Sequence, residues 1–122
     1  MTFEEKFKTF RDYYATTQKL GGIQGLLGWD QLTYMPAGAM QERGEQLQAL
    51  GGILYDRATS PEYGQLIADL VAEIPDLDAD EPVARELKLA KRSYEQSTKV
   101  PKDKMMELIM TTSVAQGVWQ KA

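Results

Sequence analysis

The 122-residue sequence contains neither cysteine nor histidine. Without cysteine there is no disulfide framework and no thiolate metal site, which fits a reducing compartment. The missing histidine excludes more. Imidazole is the commonest metal ligand and the usual general base near neutral pH. A Ser-His or Cys-His nucleophilic pair therefore cannot be built from this chain. A zinc site would have to rest on carboxylates alone, against zinc's preference for nitrogen and sulfur. No apolar run approaches the ~20 residues that a spanning helix needs. No basic segment leads into an apolar stretch near Met1, so no signal peptide is expected. Basic clusters are missing too, and the net charge of −4 repels phosphate backbones. The expected setting is cytoplasmic, with no nucleic-acid and no membrane partner.

What is present describes a helical protein. The hydrophobic share of 43% and the charged share of 26% are ordinary for a globular chain. Thr2-Phe3-Glu4-Glu5 fits a capping box, in which a Thr hydroxyl and a Glu carboxylate satisfy two exposed amides reciprocally. Phe3, Phe7, Phe10 and Tyr14 follow at helical spacing, with Leu20 beyond and an interruption or kink expected at Gly21-Gly22. Ile23, Leu26, Leu27 and Trp29 resume the helical spacing as far as Asp30. Thr33–Pro36 reads as extended, because the residue before proline is pushed out of the α region.

A further helix is predicted from Ala37 or Gly38 through Leu47, Leu50, Leu54 and Ala58. Gly44 and Gly51 lie seven apart on its apolar face, where they would let another helix come close. Ser60-Pro61-Glu62 is a strong start signal, and Asp80-Glu81-Pro82 repeats it. The last helix, opened by Val100-Pro101, carries Met105, Met106, Leu108, Ile109, Met110, Val114, Val118 and Trp119. These cover more than one face, so neighbours are expected on two sides. Its pattern runs to Ala122 with no stop signal, as if the chain were cut within a helix or held there by another copy. The expected fold class is all-α: five to six helices in an antiparallel bundle-like arrangement, with residues 1–122 as a single helical domain.

The richest stretch is Leu26–Pro36, where a Trp, a Tyr, a Met and a Pro surround one Asp. Asp30 could face a substrate groove. The plainer reading is that it accepts backbone amides of the Gln31–Tyr34 turn. Trp29 and Tyr34 read as core anchors rather than a ligand-stacking pair. Glu42 and Glu45 share a helix face but have no histidine to complete a metal site, so a solvated face is the better reading. Arg43 beside Glu42 fits an ordinary surface pair. Met105, Met106 and Met110 could be core or an adaptable partner-binding surface. No residue is assigned as catalytic, cofactor-binding or metal-ligating.

Leu26-Leu27-Gly28-Trp29-Asp30-Gln31 followed by Thr33-Tyr34-Met35-Pro36 resembles the N-terminal signature of the carboxypeptidase Taq family of metallopeptidases. The likeness continues through Glu42-Arg43, Gln46-Leu47, Leu50, Asp56-Arg57, Thr59-Ser60-Pro61 and Leu66-Ile67. It returns at Val100-Pro101 and Trp119-Gln120-Lys121-Ala122. The resemblance implies a much longer, wholly helical and usually dimeric enzyme that removes residues from the C-terminus of peptides. It implies zinc or cobalt held by a His-Glu-x-x-His helix and a later Glu, none of which this sequence contains. The family often has histidine near Tyr55, where this chain has tyrosine.

The expectation is therefore the N-terminal helical region of a metal-dependent carboxypeptidase, shaping the substrate groove without catalysing the reaction itself. Its partners would be the peptide substrate of the longer enzyme, and a second copy or the missing catalytic region. The alternative is a free-standing helical interaction or dimerisation module without enzymatic activity.

Overall fold

The computed structural model describes all residues from Met1 to Ala122. The chain is all-α, as its periodicity predicts, with no strand. In order come α1 (Phe3–Thr33), a 3-10 turn (Ala37–Ala39), α2 (Met40–Ala58), α3 (Pro61–Glu73), α4 (Pro82–Thr98) and α5 (Lys102–Lys121).

α1 runs unbroken through Gly21-Gly22, where the sequence pattern leads one to expect an interruption or kink. Each glycine costs about 1 kcal/mol in a helix interior relative to alanine, which is too little to break a helix held at both ends by packing. No glycine in the chain takes a positive φ. The start of α1 is the expected capping box: Thr2 N–H donates to Glu5 Oε2 (3.0 Å), and Glu5 N–H donates to Thr2 Oγ1 (3.1 Å).

The chain forms two compact units, residues 1–17 with 56–99 and residues 18–55 with 100–122. In the first, Phe10, Ile67, Leu70, Leu87 and Ala90 form a buried cluster. The aromatic face read from the sequence is realised as a ladder. Phe3 stacks on Phe7 (5.8 Å between centroids), Phe7 on Phe10 (5.8 Å), and Phe10 on Tyr63 (6.0 Å).

The last turn of α2 joins this unit through Arg57. Its Nε donates to Thr17 Oγ1 (2.9 Å) and a terminal nitrogen donates to Tyr13 O (3.0 Å). The guanidinium lies 4.0 Å from the Tyr13 ring centroid. α3 starts as predicted, with Ser60 Oγ accepting from Tyr63 N–H and Pro61 in the first turn. α4 also starts at its proline, but Asp80 does not cap it. The residue before the helix is Glu81, with no side-chain cap, and Asp80 instead accepts from Arg85 at 2.8 Å.

The second unit inverts the usual hydropathic pattern. Its buried positions on α2 and α5 are Gly44, Leu47, Gly51, Gly52, Ser113 and Gly117, mostly small residues. Leu108, Val114, Val118 and Trp119 of α5 are exposed, the last at 75%. Instead of apolar cover on two sides, α5 therefore has one packed side and one open one. The close approach expected at Gly44 and Gly51 is present. A Cβ on Gly44 would stand 2.9 Å from Met110 Sδ, and one on Gly51 would collide with Ile109 Cδ1.

Burial, and then the neighbouring Tyr14 and Tyr13 phenols, push the Tyr63 hydroxyl from 10.0 up to about 12. The folded chain thus keeps this proton after the unfolded chain has lost it. Tyr63 contributes fully to stability below pH 10, and that contribution falls as the pH rises from 10 towards 12. The stability difference between the parent chain and Tyr63→Phe should be flat below that window and fall across it, by about 1 kcal/mol once solvent screening of the half-buried ring is allowed for. Urea titrations at a series of alkaline pH values read this directly.

Candidate functional site

The Leu26–Pro36 stretch closes α1 and enters the 3-10 turn. The Asp30 carbonyl accepts from both Tyr34 N–H (3.0 Å) and Met35 N–H (2.9 Å), and Pro36 then sits in extended geometry. The helix therefore runs to Thr33, three residues past the expected end at Asp30.

Arg43 of α2 is the organising side chain. It donates to Asp30 Oδ2 (2.9 Å), Leu27 O (2.8 Å) and Gln46 Oε1 (3.1 Å). Two expectations are corrected here. The Asp30 carboxylate accepts from a guanidinium rather than from the turn amides, because it lies inside α1, where those amides are committed to the helix. Arg43 turns away from Glu42 because Asp30 offers a less exposed partner together with a backbone carbonyl. The Arg43 side chain is only 14% exposed, so its pair with Asp30 is stronger than a surface bridge. Glu42 and Glu45 are both exposed, on the solvated face expected of them.

Trp29 and Tyr34 are not core anchors. They are 55% and 77% exposed, with their rings tilted 55° at 5.6 Å. The buried member of the stretch is Gln31. Its Nε2 donates to Ser113 Oγ (2.9 Å) and Ser113 O (3.3 Å), and its backbone carbonyl accepts from Gln120 Nε2 (3.3 Å). Sequence reasoning missed this network. The signal available was a Gln and a Ser at otherwise apolar helix positions, beside small residues that allow close approach. At Tyr55, near which the family often has histidine, the phenol donates to the Val100 carbonyl.

Beside Gln31 lies an open groove of about 630 Å³. Trp29, Leu32, Leu47, Leu108 and Ile109 give it apolar walls, and Gln24, Gln31, Ser113 and Gln116 contribute polar groups. None of its lining side chains is ionisable. Its chemistry is that of a surface that buries apolar groups and offers amide and hydroxyl hydrogen bonds. Met105, Met106 and Met110 are half-buried, and the last two lie against α2, with Met106 Sδ 3.7 Å from where a Gly52 Cβ would be.

The residues present do not fit a catalytic metal. No group of three or more His, Cys, Asp or Glu comes together, and the Asp30 carboxylate is taken by Arg43. No buried side-chain nitrogen or oxygen lacks a hydrogen-bond partner.

The family model for carboxypeptidase Taq (M32) metallopeptidase matches residues 9–122. Thermostable carboxypeptidase 1 of Thermus thermophilus is 25% identical over 122 residues, which is 100% of this chain and 24% of that protein. Carboxypeptidase 1 of Bacillus subtilis is 29% identical over 115 residues, 94% of this chain and 23% of that protein. The chain thus spans about a quarter of the length of the curated relatives it matches. No solved structure matches it.

The Arg43 arrangement carries a clear prediction. Arg43→Ala removes a charge-assisted bond to Asp30 and one to Leu27 O, and should cost about 1–2 kcal/mol after allowance for the partial exposure of Asp30. Glu42→Ala should stay within about 0.5 kcal/mol of the parent. Thermal or urea unfolding of the two variants checks the contrast.

Proposed function

The chain belongs to the carboxypeptidase Taq (M32) metallopeptidase family, and from that premise we propose that it forms the N-terminal helical region of a longer metal-dependent carboxypeptidase. That enzyme would remove residues one at a time from the C-terminus of peptides, using zinc or cobalt held by a His-Glu-x-x-His helix outside these 122 residues. In it, residues 1–122 would serve as one helical domain forming part of the wall of the peptide groove. The observation that carries this reading is the family match across residues 9–122 of a chain that brings no metal-ligand set together.

The groove beside Gln31 supports the wall role by its character. It offers apolar surface and neutral hydrogen-bonding groups and no ionisable group, which suits holding a neighbouring polypeptide rather than reacting with it. The reaction chemistry belongs to the remainder of the enzyme. Cytoplasmic location and a dimeric parent enzyme are further parts of the proposal.

A second reading, a free-standing helical interaction module, is favoured by the open side of α5, where Leu108, Val118 and Trp119 stand exposed together. The reading frame downstream of Ala122 separates the two. A continuing frame with His-Glu-x-x-His supports the enzyme segment, and a native stop codon supports the module. The 122-residue chain alone, incubated with peptides and zinc or cobalt, should release no C-terminal residues in an amino-acid assay. Metal-dependent trimming would contradict the assignment of catalysis to other residues.

A further inference from the structure

We propose that Met40 is a peroxide-sensitive modification site whose conversion to the sulfoxide loosens the C-terminal half of α5. Met40, the first residue of α2, lays its side chain directly on Gly117. A Cβ at Gly117 would overlap Met40 Sδ and stand 2.8 Å from its Cε and 2.9 Å from its Cγ. The thioether thus fills the space that glycine leaves, and Gly117 is buried beneath it.

The Met40 side chain is half-buried and borders open space. Met40 and Gly117 line an open cleft of about 190 Å³ together with Met35, Ala37, Gln120 and Lys121. A small neutral oxidant such as hydrogen peroxide can enter a cleft of that size. Met106 and Met110 also lie against α2 glycines but do not line this cleft. Met1, 79% exposed, serves as an internal reference for oxidation of a freely accessible methionine.

The reaction is balanced with peroxide alone. A sulfur lone pair attacks one peroxide oxygen, an S–O bond forms and the O–O bond breaks. The departing hydroxide takes the remaining peroxide proton and leaves as water. Sulfur is oxidised by two electrons and peroxide is reduced by two.

The product is a polar, pyramidal sulfoxide where an apolar sulfur had been pressed onto a helix backbone. Beyond Ser113, α5 exposes Val114, Val118 and Trp119, so the burial of this part of the helix depends on Gly117 under Met40. Gln120 adds a hydrogen bond to the Gln31 backbone carbonyl at 3.3 Å, a long contact. The added oxygen makes polar a group that lies directly on the buried Gly117, which weakens the apolar contact holding this part of the helix.

The test treats the full chain with hydrogen peroxide, locates sulfoxides by peptide mass spectrometry, and follows amide exchange. Oxidation of Met40 should raise exchange across residues 113–121 by about tenfold or more, while exchange in residues 61–98 stays unchanged. Methionine sulfoxide reductase should restore the protection. Met40→Leu, a volume-conserving replacement without sulfur, should keep residues 113–121 protected after peroxide. Three results would overturn the proposal. Met40 could stay reduced while Met1 is fully oxidised. Exchange at 113–121 could be unchanged with Met40 oxidised. The same rise could occur in Met40→Leu. Reductase reversal reads the parent chain itself, so the test survives a poorly folding variant.

Discussion

The second unit depends on how closely α5 can approach α2. Glycines supply that proximity: Gly44 and Gly51 face Met110, Ser113 and Ile109, and Gly117 takes Met40. Where backbones come this close, dispersion and a few well-placed polar bonds replace large apolar side chains as the source of cohesion. Beside that contact the Gln31–Ser113 pair ties α1 to α5, where a buried unpaired amide would be costly. The same constraint explains why Leu108, Val118 and Trp119 stay outside: the packed side of α5 has no space for them.

Much of this fold was legible in the sequence. The Thr2–Glu5 box, the Ser60-Pro61 start, the Phe3–Phe10 face and the closeness at Gly44 and Gly51 each follow from a local rule, and each is present. The misreadings have a common cause. Gly21-Gly22 was read by intrinsic propensity, but α1 is carried through it by packing on either side of the pair. Trp29 and Tyr34 were read by size and hydropathy as anchors, yet the buried residue of their stretch is the neutral amide Gln31. Asp30 was read as a local cap, but its partner is 13 residues away on α2. Long-range partners of polar side chains do not show in a one-dimensional pattern, and they decide which face of a helix is inside.

That inversion also bears on function. The family signature around Trp29 marks a place where α1 and α2 are joined by Arg43, beside a groove with apolar walls and no ionisable lining. None of the side chains lining that groove can take up or release a proton near neutral pH. Membership of the M32 metallopeptidase family and the lack of a metal-ligand cluster are reconciled if the chain contributes shape and cover while other residues of a longer enzyme contribute chemistry. The open side of α5 then has a purpose as a surface for further polypeptide.

The central claim is that the metal chemistry of the family lies outside these 122 residues. Equilibrium dialysis of the chain against zinc and against cobalt at neutral pH tests it most directly. No stoichiometric uptake of either ion is expected. One tightly held ion per chain would contradict it.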